Sequence, residues 1–71
     1  MRETIMRHIA TLQLIPRAPK AITVAQLHEK LDRAGFRVSR RQVQRDLTTL
    51  STQFPLTTDE RSVPGWSWPK E

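Results

Sequence analysis

The sequence predicts a mainly α-helical domain, three helices closed by a small β-hairpin. Three observations carry this. Apolar residues recur at three- and four-residue steps along 4–15, 24–34 and 43–50, the period of a helix with one buried face. Thr23 with Gln26, and Ser39 with Gln42, each place a hydroxyl three residues before a glutamine, the signature of a helix start. After residue 54 the period shortens to two around a Pro-Gly pair, which is the pattern of a hairpin.

At 71 residues the chain has room for one domain, 1–71, and a chain near this size buries only about 60% of the surface its unfolded form exposes. A single core of this kind supplies roughly 3–5 kcal/mol of stability. There is no cysteine, which excludes disulfides and thiolate zinc sites and fits a cytoplasmic protein. Arg7, His8 and Gln13 break the apolar runs, so no segment reads as a membrane span or a secretory signal.

The first helix is expected over 4–15, with Thr4 as its cap, Ile5, Ile9, Leu12 and Ile15 as its buried stripe, and Pro16 as its end. "PRAPK" is then a short rigid loop, and "AIT" an edge strand that gives the hairpin a third strand. The second helix opens on the Thr23/Gln26 capping box, buries Val24, Leu27, Leu31 and Ala34, and stops at Gly35 in a left-handed conformation. The third opens on Ser39/Gln42 and runs over 40–53 with Val43, Leu47 and Leu50 inward. Trp66 and Trp68 share one face of the last strand, where core packing is expected and a dimer interface is the rival.

Two helices joined by a glycine-containing turn, with a hairpin after them, make a winged helix-turn-helix. The charge pattern points to its partner. The net charge is +5, and residues 37–45 hold Arg37, Arg40, Arg41 and Arg45 with no acid. Such local positive charge is the footprint of a phosphate-backbone partner, here double-stranded DNA. At 100° per residue Val43, Leu47 and Leu50 span about 60° of arc, and Arg41, Arg45, Thr48 and Thr52 point the other way. An α-helix fits the major groove, where arginine pairs with guanine and glutamine with adenine.

Arg41, Gln44, Arg45 and Thr48 are therefore the candidate base contacts, with Gln44 near enough to the margin to pack there instead. Arg37, Ser39, Arg40 and Arg61 are the candidate phosphate contacts. Ser39 is a cap first, and Asp59 and Glu60 beside Arg61 oppose deep insertion of the wing. Asp46 would repel phosphate, so a structural pairing with an arginine is expected. His8 and His28 lie on different helices and read as surface or core-margin residues. No cofactor, metal site or enzymatic constellation is expected.

At "RRQVQRDL", with "LIPRAP" before it and "FPLTTDERSVPGWSW" after it, the chain resembles the amino-terminal winged helix-turn-helix of bacterial transcriptional regulators that carry a WYL domain, related to DeoR-type regulators. The shared pattern covers nearly the whole chain. The resemblance implies a dimeric DNA-binding regulator, often a repressor, whose separate WYL domain senses a ligand such as nucleic acid. Residues that would sense a ligand are not among these 71, so sensing is not carried over. The expectation is an excised DNA-binding domain or a stand-alone small regulator. A winged helix that binds protein instead of DNA is the alternative, and it would make the outer face of the third helix apolar or mixed. Here that face carries arginine, glutamine and threonine.

Overall fold

A computed structural model of the chain describes residues 2–59 and 64–70. It is mainly helical, with α1 (Arg2–Leu14), β1 (Ile22–Thr23), α2 (Val24–Arg33), α3 (Arg40–Ser51), β2 (Thr57–Thr58) and β3 (Gly65–Ser67). The three strands form an antiparallel sheet in the order β1-β3-β2, with Ile22 opposite Trp66 and Thr57 opposite Ser67. Three helices with a small sheet of this kind are compatible with a winged helix-turn-helix, and "AIT" does supply the third strand.

Local chemistry sets the ends of α2. Thr23 Oγ1 accepts from the Gln26 N–H at 3.1 Å, and the Gln26 side chain accepts from the Thr23 N–H at 3.0 Å, completing the capping box. At the other end Gly35 takes φ +96°, its N–H bonds to the Asp32 carbonyl and the Phe36 N–H bonds to the Leu31 carbonyl. That pair of bonds is a Schellman cap, and its positive φ is what glycine supplies. Gly65 answers a different need. It is the first residue of β3, not part of a Pro-Gly turn as the sequence suggests, and a Cβ there would stand 2.7 Å from that of Ala21.

The core consists of Ile15, Ile22, Leu27, Leu31, Val43 and Leu47, with Leu50 buried beside them. Trp66 and Trp68 pack against it. Trp68 is also tied down at its polar atoms: Nε1 donates to the Leu12 carbonyl at 3.0 Å and its backbone N–H to the Pro16 carbonyl at 2.8 Å. Its ring meets Phe54 edge-on at 6.0 Å, so core closure is the role of this tryptophan within the chain.

Expectations for all three helices also need correction. Ala34 caps α2 from an exposed position instead of lining the core. Helix α3 ends at Ser51, two residues early, where the N–H groups of Gln53 and Phe54 both turn back to the Leu50 carbonyl ahead of Pro55. Helix α1 starts at Arg2, so Thr4 is not its cap. Its stripe holds only at its end, where Ile15 is buried and Leu12 half-buried: Ile5 is 55% and Ile9 45% exposed, as is Met6 at 52%, while Arg7 and Thr11 are buried. The reason lies in α3. An apolar stripe of two isoleucines forgoes roughly 1.5–3 kcal/mol per side chain when left in water. An unpaired carboxylate inside the domain costs several kcal/mol. Asp46 is that carboxylate, and α1 turns its arginine toward it.

Candidate nucleic-acid interface

Helix α3 divides by face. Val43, Asp46, Leu47 and Leu50 are buried, and Arg40, Arg41, Gln44, Arg45, Thr48 and Thr49 are exposed. The division follows from the spacing, because side chains three and four apart stack on one side of a helix. Ser39 begins the helix in extended backbone, and its hydroxyl oxygen accepts from the Gln42 N–H at 3.1 Å. This is half of the expected capping box. The Gln42 amide donates to Asp46 Oδ1 at 2.9 Å instead of serving the Ser39 backbone. A buried carboxylate is the weightier obligation, since a hydrogen bond to a charged group is worth about twice a neutral one.

Asp46 is 3% exposed and collects four polar contacts. Arg7 of α1 grips it at two points, Nε to Oδ2 at 2.6 Å and Nη2 to Oδ1 at 3.1 Å. His8 Nε2 lies 3.2 Å from Oδ1, and Gln42 supplies the fourth. Burial by itself pushes the Asp46 carboxyl up; the hydrogen bonds from Arg7, Gln42 and His8 and the charge of Arg7 outweigh it, holding the carboxyl below the usual carboxylate range. Arg7 is raised in turn, chiefly by its hydrogen bond to Asp46 and against its own burial. The sequence foresaw an arginine partner for Asp46. It did not show that the partner would come from α1.

The remaining charges are left outside. Arg37, Arg40, Arg41 and Arg45 are exposed, and none of the four is ion-paired among the described residues. Arg41 and Arg45 stand about 40° apart by helical angle, each more than 140° from the core direction. Arg40 sits elsewhere. It borders an indentation of about 380 Å³ with His28 and Asp32 of α2, and a second of about 300 Å³ with Gln44, Pro64 and Trp66. Arg40 and Gln44 therefore occupy the crease where α3 meets α2 and the last strand, while Arg41 and Arg45 face open solvent. Thr48 is exposed too, with its hydroxyl donating to the Gln44 carbonyl at 3.1 Å, which leaves its methyl and lone pairs for a contact. Arg61 lies outside the described residues.

The histidines sit at margins, His8 on Asp46 and His28 with Nε2 2.7 Å from the Val38 carbonyl. Neither belongs to a cluster of three metal-ligating side chains among the described residues. No helix among the described residues is long and apolar enough to cross a membrane. An indentation of about 500 Å³ between the 16–22 segment and α2 contains none of the expected site residues. No protein-family model, curated protein or solved structure matches the chain.

Proposed function

We propose that the chain binds double-stranded DNA sequence-specifically, as the DNA-reading domain of a transcriptional repressor, with α3 in the major groove. One observation carries the reading. The reading helix and the turn before it hold four arginines on the surface, none ion-paired among the described residues, while the only acid of α3 is turned inward and neutralised by Arg7. A helix that needed only to be soluble has no use for that segregation. A phosphate-lined groove requires it, because an exposed carboxylate would repel the backbone.

The roles divide by position. Arg41 and Arg45, on the outermost face, reach base edges, each able to donate two hydrogen bonds to a guanine. Gln44 suits an adenine, and the Thr48 methyl a thymine methyl. Arg40 in the crease, Arg37 in the preceding turn and Ser39 at the helix start hold phosphates, close to the positive end of the helix dipole. Arg61, outside the described residues, is proposed to join them. One such module covers a single half-site, so a homodimer on a two-fold site is the acting form. The resemblance to WYL-type regulators implies the same role, and the proposal places the chain in the cytoplasm.

The test is binding to a randomised duplex pool across a salt series. The three cationic phosphate contacts, Arg37, Arg40 and Arg61, predict a log–log slope of about −2.7, together with a recovered consensus. Affinity that stays flat between low and physiological salt overturns the reading.

A further inference from the structure

We propose that the buried Arg7–Asp46 pair is the positioning device of the reading helix. It sets the direction in which α3 presents Arg41 and Arg45, and through that the sequence preference, in place of adding stability. The inference rests on the DNA-binding reading above and names what tunes that site.

Three features lead to it. First, Asp46 immediately follows Arg45 in α3, and its two oxygens are held from a different element by the two-point grip of Arg7. A bidentate guanidinium–carboxylate contact fixes rotation as well as distance. The apolar contacts of Val43, Leu47 and Leu50 are non-directional and tolerate a small turn of the helix. Second, the tolerance for such a turn is small. A 20° rotation moves a side-chain tip by about 2 Å on a radius of about 6 Å. Groove hydrogen bonds fall within about half an ångström of one another in length. Third, the pair is a poor stabiliser. Removing two charges from water costs several kcal/mol per ion, and apolar residues of the same volume do as well or better. The domain nonetheless holds this pair at 8% and 3% exposure, at the expense of leaving Ile5 and Ile9 in solvent.

The experiment replaces the pair by apolar side chains in R7M/D46L and, separately, removes only the fork in R7K, since lysine keeps the charge but not the two-point geometry. Wild type is first selected against randomised duplexes to obtain its preferred site. R7M/D46L is expected to melt at or above the wild-type temperature and to keep its affinity for random duplex with the same salt slope. Its preference for the selected site over random duplex falls about tenfold or more, the loss of one aligned base contact. R7K is expected to stay folded with a smaller loss of preference. Unchanged preference in folded variants overturns the proposal. So does loss of folding in both, which would make the pair a stability element.

N–H residual dipolar couplings in the same variants report the angle of α3 to α1 without any DNA. Should wild type fail to bind duplex, the functional reading falls, and this angle alone decides the clamp. A changed angle upholds it, and an unchanged one overturns it.

Discussion

Helices α2 and α3 begin almost identically and end in opposite states. Both open on a hydroxyl with glutamine three residues later, and both bury a leucine stripe. In α2 the glutamine returns to the cap, and the charges are balanced in solvent, Glu29 meeting Arg33 at 2.7 Å across one turn. In α3 the glutamine leaves the cap for Asp46, the acid goes inside, and the arginines stay outside with no ion pair among the described residues. The same opening motif therefore serves a helix whose charges pair in solvent and a helix whose one acid is drawn inside. What separates them is one buried carboxylate.

The comparison breaks most completely at that carboxylate. Asp46→Asn leaves Arg7 as a buried charge without its counter-ion, and the expected cost is about 3–5 kcal/mol, enough to unfold much of a domain of this size at 25 °C. Thermal or urea melts read it, and a loss under about 1 kcal/mol would show that the pair is not a buried obligation. The acid limb supplies the sign. The folded-state pKa of Asp46 is depressed, so its contribution is full above the unfolded value of about 3.9 and is lost as pH falls through the folded one. Wild-type stability should fall progressively below about pH 4, and this part of the fall should be missing from Asp46→Asn if it is still folded.

The exposed side of α3 should answer differently. Arg45→Ala is expected to leave the melting temperature nearly unchanged, since the side chain is solvent-exposed. On the selected DNA site it should cost about 1–3 kcal/mol and relax the base preference at one position. Competition titrations with single-base variants of the site measure this. Equal weakening on all sequences would make Arg45 a phosphate contact.

The smallest effect sharpens the contrast between the twin glutamines. Gln26→Ala removes half of an exposed capping box, worth about 0.5–1 kcal/mol. Gln42→Ala removes a hydrogen bond to a buried charge, worth about 1.5–3 kcal/mol. Paired urea melts should place Gln42→Ala as the more damaging of the two; the reverse order would mean that Asp46 is satisfied without Gln42.

The sequence carried α2 and α3 well because their signals are local. Thr23, Gly35 and Ser39 act on backbone groups within a few residues, and the leucine stripes need only the 3.6-residue period. The candidate DNA-facing residues were legible for the same reason: once Val43 and Leu47 point inward, the directions of Arg41 and Arg45 follow. The hairpin was legible in outline, yet the use of Gly65 was not, since its need comes from Ala21, just before β1 and more than forty residues away in the chain.

Helix α1 shows where that legibility ended. Ile5, Ile9, Leu12 and Ile15 form the stripe that periodicity selects; Ile15 does go inside, but no rule of periodicity would prefer Arg7 and Thr11 to Ile5 and Ile9. A lone acid within a run of arginines, about 70° from the core direction of α3, was the available hint. It announced a partner without naming one, because a partner 39 positions away is found only by packing. The amino-acid sequence by itself determined where α2 and α3 begin, where α2 ends and which way the arginines face. Tertiary structure alone decided how α1 is turned, because the free energy of a buried charge depends on what surrounds it in space.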